Sequence, residues 1–228
     1  MPVITISRDY GSGGERIGWK IAQALGLSYF DKELLSDVAR AANLTEEEIG
    51  QLDERAQSGL RNFLKKLFNP NSALFMELPH YYPAGFPMDP SLFSAENQTP
   101  PKSVTTPDAD QVMAFFREVI ENLWKRDNVV IIGRGGQKIL ANKPNTVHVR
   151  FIGLVEERCK TVMAEENLSA DEALKKLKRI DAQRIAYFKH YHEGSLENPK
   201  LYHLVVNTSF VPSEQAVQAV VALVEKKT

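Results

Sequence analysis

Short apolar runs alternate with amphipathic segments along most of the chain. Residues 3–6 form a run of β-branched residues, which is typical of a buried parallel strand. Similar runs follow at residues 28–30, 129–132, 147–152 and 202–206. Segments with apolar residues at helical spacing separate them, at residues 17–25, 32–42, 45–56, 108–126, 136–140, 155–166 and 213–226. This alternation predicts a three-layer α/β fold, in which helices cover both faces of a mostly parallel sheet of about five strands.

Capping sequences and prolines refine the boundaries. Ser169 and Glu172 have the spacing of a capping box, which predicts the start of a long charged helix. Residues 57–107 break the alternation, because eight of the twelve prolines lie between Pro70 and Pro107 and proline disfavours helix and sheet interiors. Aromatic residues interleave with these prolines, so we expect a packed insertion in a single domain spanning residues 1–228. This insertion is a candidate surface for a homodimer.

Composition narrows the class of protein. The 228 residues suit one α/β domain, and a net charge of −1 favours neither nucleic acid nor an anionic membrane as a partner. No run of apolar residues approaches the roughly 18 needed to cross a membrane. Cys159 is the single cysteine, so the chain cannot form an internal disulfide, and we expect a cytoplasmic location.

A glycine-rich turn joins the first strand to the first helix. It reads Gly11-Ser12-Gly13-Gly14, and its glycines allow positive φ angles and a close approach of the backbone to a ligand. Successive amides and the helix N-terminus then offer partial positive charge to a phosphate. The alternative is a tight turn that binds no ligand. We favour phosphate binding because the turn lies between a strand and a helix.

Two kinds of phosphate-binding turn fit this segment in part. The dinucleotide pattern uses Gly11, Gly13 and the acid Asp31, but Arg16 stands where that pattern has its third glycine. The P-loop pattern ends at Gly14, which puts Glu15 at the position of the lysine and Arg16 at the position of the metal-holding hydroxyl. The turn alone leaves both readings open.

Motifs along the rest of the chain resemble the cytidylate kinase-like family, a branch of the P-loop nucleoside monophosphate kinases. Six segments match in the right order, at residues 6–14, 25–31, 129–135, 155–158, 179–184 and 206–209. The resemblance covers nearly the whole chain except residues 57–107. It implies a P-loop kinase-type fold, a helical lid at residues 167–194, and phosphoryl transfer from ATP or another nucleoside triphosphate with Mg²⁺.

The resemblance also implies roles for particular residues on the nucleotide side. The turn Gly11-Ser12-Gly13-Gly14, with Arg8, would bind the phosphates, and Arg158 would lie beside the donor base. Arg134, in the Gly-Arg turn after the third strand, would meet the phosphate of the acceptor. Asp31, at the carboxyl end of the second strand, would contact the acceptor nucleotide or cap the following helix.

The predicted lid carries the remaining candidates. By resemblance, Arg179 and Arg184 would reach the transferred phosphoryl group, and Asp181 would orient one of the lid arginines. Because no lysine follows Gly14, we expect Arg16 or Arg8 to supply the missing positive charge. No metal-ligating residues are predicted.

Three functions remain open from the sequence. The leading one is a phosphotransferase acting on a nucleoside monophosphate or another small acceptor. The second is a catalytically weak nucleotide-binding sensor or assembly module, which the missing lysine favours. The third, a dinucleotide oxidoreductase, is disfavoured because it has no use for a lid or a Gly-Arg turn.

Overall fold

A computed structural model gives the structure of the chain and describes residues 2–31 and 109–227. The chain divides into two compact units, Met1–Lys32 with Phe116–Thr228, and Glu33–Phe115. The first unit holds the sheet and is described below. The helices predicted at residues 32–42 and 45–56, and the insertion predicted at residues 57–107, lie outside the described residues.

The described elements follow the predicted alternation. The strands are β1 (Val3–Arg8), β2 (Ser28–Phe30), β3 (Val129–Ile132), β4 (Thr146–Ile152) and β5 (Leu204–Asn207). The helices are α1 (Gly14–Leu25), α2 (Ala109–Arg126), α3 (Gly136–Ile139), α4 (Val155–Glu166), α5 (Ala170–Tyr191) and α6 (Ser213–Lys227), with a 3-10 turn at Pro199–Leu201. The capping box predicted at Ser169 opens α5, with hydrogen bonds in both directions between Ser169 and Glu172.

The five strands form one parallel sheet in the order β2-β3-β1-β4-β5. β1 lies at its centre, where Ile6 pairs with Ile132 on one side and with Val149 on the other. The carboxyl ends of the strands therefore meet at one edge of the sheet, which is where open α/β sheets bind ligands. The predicted α/β fold, with five parallel strands and helices on both faces, is confirmed.

Alternating residues of the central strands bury one face of the sheet against α1 and α6. Ile4 and Ile6 of β1 pack there with Ile17 and Ile21 of α1 and with Val220 of α6. This core fixes the start of α1, and hence the glycine-rich turn, relative to the sheet. The other face contacts α3, whose backbone at Gly136 lies against the side chains of Thr5 and Ile131.

The last strand starts two residues later than the pattern predicts. Tyr202 caps the 3-10 turn through its backbone N–H, which donates to the carbonyl of Pro199, and its hydroxyl donates to the carbonyl of Leu196 at 2.7 Å. These bonds hold Tyr202 in the connection, so pairing with β4 begins at Leu204. Among the residues described, none of the helices has the length and apolar character needed to cross a membrane.

Candidate active site

The loop between β1 and α1 exposes a helix N-terminus at the carboxyl edge of the sheet. Gly11 and Gly13 have φ angles of 74° and 71°, in the left-handed region that favours glycine. Gly13 caps α1 without any side-chain hydrogen bond. The first amides of a helix have no acceptor within it, so a 12-residue helix capped in this way can donate to an anion.

Close packing also explains why Gly11 and Gly14 have no room for a side chain. A Cβ at Gly11 would lie 2.8 Å from the carbonyl oxygen of Arg158, on α4. A Cβ at Gly14 would lie 2.6 Å from the Cβ of Arg8. The hydroxyl of Ser12 donates to the carbonyl of Asp9 at 2.8 Å, so this buried side chain shapes the loop from within.

A pocket of about 210 Å³ opens beside the loop. Its wall comes from the loop, the start of α1, the first turns of α4, and the connection between β5 and α6. The lining residues are Gly11, Ser12, Gly13, Arg16, Ile17, Glu157, Arg158, Thr161, Thr208, Ser209, Val211 and Ser213. The pocket is thus continuous with the open amides of the loop, and hydroxyl side chains supply much of its polar surface.

Asp181 connects the predicted lid helix α5 to the loop. Its carboxylate accepts a hydrogen bond from the backbone N–H of Tyr10 at 2.9 Å and pairs with Arg158 at 2.5 Å. Arg158 is buried and also donates to the carbonyls of Gly153 and Tyr10. The sequence predicts that Asp181 orients a lid arginine, whereas the structure pairs it with Arg158 on α4. Arg158 thereby joins the loop, α4 and α5, and it also reaches the pocket wall.

A second contact between the lid helix and the loop centres on Glu15. Its carboxylate oxygen Oε1 accepts from Nε and a terminal nitrogen of Arg8, at 2.9 and 2.6 Å. Arg184 of α5 approaches the same oxygen at 3.4 Å and donates to the carbonyl of Arg8 at 3.1 Å. Burial, followed by the charge of Arg8, lowers the pKa of Arg184 to about 10. The structure therefore brings Arg8 and Arg184 together beside the loop, and their roles towards phosphate stay predictions.

The other two arginines predicted to act on phosphate lie in more open surroundings. Arg16 lines the pocket, with 54% of its side chain exposed, and its guanidinium is 3.7 Å from the carboxylate of Glu165. Arg179 is exposed on α5 and does not line the pocket. Of the two residues expected to replace the P-loop lysine, Arg16 lines the pocket, whereas Arg8 is bound to the Glu15 carboxylate and, like Arg184, does not line the pocket.

The predicted acceptor residues follow the two neighbouring strands β2 and β3. Arg134 adopts a left-handed φ of 54° between two glycines, and its guanidinium lies 4.0 Å from the ring centre of Phe116 and 5.7 Å from that of Tyr187. Asp31 is buried directly after β2. Neither lines the pocket beside the loop, so both lie away from it at the same edge of the sheet.

One ion pair, which lies under the loop, was not predicted from the sequence. Arg150 of β4 is buried and pairs with Asp9 at 2.8 Å, while also donating to the hydroxyl of Ser7 at 3.1 Å. Burial raises the pKa of Asp9, although the charge of Arg150 opposes the rise. The signal that points to this pair is an arginine between the apolar residues Val149 and Phe151 of a buried strand, since a buried charge needs a partner.

The described residues do not build a magnesium site. In residues 2–31 and 109–227, no three His, Cys, Asp or Glu side chains are grouped to hold a metal ion. Arg16 also stands where the P-loop pattern has its metal-holding hydroxyl. What the loop offers is the amides at the N-terminus of α1, which suit an anion.

Comparison with known proteins agrees with the sequence motifs. The model of the cytidylate kinase-like family matches residues 3–210, which confirms the resemblance. An uncharacterised protein from Eubacterium ventriosum has a similar structure, with a TM-score of 0.63 at 20% identity over 99% of this chain and 98% of that one. A gluconokinase from Sinorhizobium meliloti gives a TM-score of 0.47 at 13% identity, over 99% and 94% of the chains. No curated protein matches the sequence. At these identities the structural likeness concerns the fold alone.

Proposed function

The chain belongs to the cytidylate kinase-like family, and we propose that it binds a nucleoside triphosphate beside the glycine-rich loop and transfers the terminal phosphoryl group to a small acceptor. The observation that carries this proposal is the pocket that runs from the open amides of the loop into the cleft between α4 and the β5–α6 connection. One end suits phosphates, and the other has the polar surface that a base and ribose need.

The phosphates would bind at the N-terminus of α1. Gly13 leaves this surface free of a side chain, so the anion can approach the backbone, while Gly11 allows the loop to pack against α4. The base would lie among the hydroxyl side chains Thr161, Thr208 and Ser209. The hydroxyls of Thr161 and Thr208 already donate to backbone carbonyls, so they would act as hydrogen-bond acceptors for the base. ATP is the first donor to test. The phosphate oxygens of the nucleotide would bind the Mg²⁺.

Phosphoryl transfer needs positive charge around the group in transit. Arg8 and Arg184 supply that charge in this proposal, because both guanidinium groups lie at the start of α1. The acceptor, a nucleoside monophosphate or another small phosphate-bearing molecule, would lie towards Arg134 and Asp31. Arginine suits the acceptor phosphate because its planar fork binds two phosphate oxygens.

A second candidate is a nucleotide-binding sensor with weak catalysis. The observation that favours it is Glu15, a carboxylate at the position where the P-loop pattern has its lysine. A sensor would bind ATP as well as a kinase does and would show no transfer to any acceptor. A homodimer formed through residues 57–107 and a cytoplasmic location also remain proposals.

Ligand-induced stabilisation separates these functions. ATP, GTP, CMP, dCMP and NADH, each with and without Mg²⁺, are added in a thermal-shift assay, since a ligand at 100 times its Kd stabilises by about 2.7 kcal/mol. We expect a triphosphate to stabilise and NADH to have no effect. Stabilisation by NADH alone would contradict the kinase proposal. Transfer of ³²P from the stabilising triphosphate to CMP or dCMP then distinguishes an enzyme from a sensor.

A pocket-filling variant tests where the nucleotide binds. Thr161→Phe adds a ring to a half-buried position of the pocket wall, and we expect it to weaken ATP binding by at least about tenfold, or roughly 1.4 kcal/mol. Thr161→Ser keeps the hydroxyl without adding volume and is the matched control, with a Kd within a few-fold of wild type. Equal ATP affinity of the two variants in calorimetry would rule out this pocket as the nucleotide site.

A further inference from the structure

Glu15 lies at the position of the P-loop lysine and carries the opposite charge. Its carboxylate accepts from a two-nitrogen fork of Arg8 and is also approached by Arg184, so two guanidinium groups share one carboxylate oxygen. Arginine forks bind carboxylate and phosphate with the same geometry. The two arginines therefore form a site that suits an anion, and the anion in this structure is the carboxylate of Glu15.

The surroundings of the two arginines explain why an anion is needed there. Only 12% of the Arg8 side chain and 23% of the Arg184 side chain are exposed. Arg8 is enclosed by glycine backbone, since a Cβ at Gly133 would lie 2.7 Å from one of its terminal nitrogens. Two cations this close repel each other, and burial strengthens the repulsion. Glu15 is the carboxylate that acts most strongly on Arg184, ahead of Asp181 and Asp9.

Glu15 is less enclosed than the arginines that it holds. Its side chain is 46% exposed and extends from the first turn of α1, the turn whose amides would receive the phosphates. A terminal phosphoryl group bound there would compete with this carboxylate for the same donors. Arg16 is a poorer candidate for such a site, because its guanidinium is mostly exposed and pairs with Glu165.

We propose that Arg8 and Arg184 form the binding site for the terminal phosphoryl group of the nucleotide, and that Glu15 is the internal anion that fills this site until the nucleotide arrives. The inference rests on the proposed function, which names the loop as the phosphate site. It adds that Glu15 stabilises the nucleotide-free protein, holds Arg184 and the lid helix at the loop, and weakens binding of the incoming phosphoryl group.

Opposite effects on stability and affinity follow from this arrangement. Glu15→Gln keeps the size of the side chain and removes its charge, so the nucleotide-free protein loses stability while the site gains affinity for a phosphate. We expect ATP to bind about tenfold more tightly than to wild type, and ADP to change by less than threefold, because ADP lacks the terminal phosphoryl group. The gain should shrink at high salt, since the carboxylate is half exposed.

Glu165→Gln is the matched control. It neutralises another exposed carboxylate beside the pocket, one that pairs with Arg16 and contacts neither Arg8 nor Arg184 among the described interactions. Calorimetry with ATP, ADP and tripolyphosphate, together with thermal unfolding, is run on wild type and both variants. A general effect of net charge would raise ATP affinity equally in the two variants, and that result would overturn the inference.

A double-mutant cycle with Arg184→Gln tests the shared site. If Glu15 acts by occupying the arginines, Glu15→Gln should gain much less ATP affinity in the Arg184→Gln background than in wild type. An equal gain in both backgrounds would overturn the inference. A loss of stability in Glu15→Gln without tighter binding of ATP would also overturn it, because that pattern belongs to a purely structural ion pair.

Failure of the proposed function gives a different result. Wild-type protein that binds neither ATP nor tripolyphosphate would contradict the proposed nucleotide site. The inference would still be supported if Glu15→Gln gained binding of tripolyphosphate under the same conditions, and it would be overturned if that variant bound none.

Discussion

Removal of the Asp181 carboxylate should break the contact between the lid helix and the glycine-rich loop and lower the free energy of unfolding. Asp181→Ala removes the acceptor of the Tyr10 backbone N–H, which costs about 1 kcal/mol. It also leaves the guanidinium of Arg158 without its carboxylate, and breaking a fully buried pair costs about 3–5 kcal/mol. Asp181 is 22% exposed and Arg158 keeps two carbonyl acceptors, so we expect a total loss of about 2–3 kcal/mol.

Urea unfolding followed by tryptophan fluorescence measures this loss, because Trp19 lies on α1 and Trp124 on α2. With a slope of about 2.5 kcal/mol per molar urea, the transition midpoint should fall by about 1 M. Asp181→Asn should lose less, about 1–2 kcal/mol, since its amide oxygen can still accept from Tyr10.

Lys160→Ala is the matched control for the loss of an ion pair on a helix. Lys160 pairs with Glu157 on the exposed side of α4, where water screens the pair, so its loss should change stability very little. If Asp181→Ala shifted the midpoint no further than Lys160→Ala, the contact between α5 and the loop would contribute little to stability, which would contradict the expected loss.

Two further variants test contacts around the Gly-Arg turn. Gly135→Ala should lower the free energy of unfolding by well over the roughly 1–2 kcal/mol that a left-handed alanine costs, because its Cβ would lie 2.0 Å from Nε2 of His192. Gly26 has a similar φ of 64° with open space around it, so Gly26→Ala should show the backbone cost alone. Urea unfolding measures both losses. Burial lowers the pKa of His192 below its usual 6.5, so the unfolded chain binds the proton more readily and stability should fall as the pH drops below about 6.5. His192→Gln should flatten this pH dependence of the melting temperature and the exposed His190→Gln should keep it; identical slopes would contradict the assignment.

The strands and helices were predictable because their signals are local. The β-branched run at residues 129–132 and the capping box at Ser169 each specify an element through residues close in sequence, and the structure contains both. The glycine-rich turn belongs to the same class, since positive φ angles at Gly11 and Gly13 follow from the need to turn from a strand into a helix. The five-stranded parallel sheet follows from the alternation of these elements.

The partners of the charged residues were not predictable in the same way. Asp181 contacts Tyr10 across 171 positions and Arg150 contacts Asp9 across 141, so no local pattern links them. The sequence named Arg8, Arg158, Asp181 and Arg184 as candidates without stating which carboxylate each guanidinium would meet. Only the packing of α5 against the loop decided that Asp181 pairs with Arg158 and that Arg184 reaches Glu15, whose other partner, Arg8, lies seven positions away.

The sequence by itself determined the α/β fold, the glycine-rich turn with its positive φ angles and the absence of the P-loop lysine, because each depends on neighbouring residues. Only the tertiary structure decided that Glu15, at the position of that lysine, holds two arginines at the turn. The physical reason is that the pairing of buried charges depends on how helices and strands pack, which brings together residues that the chain keeps far apart.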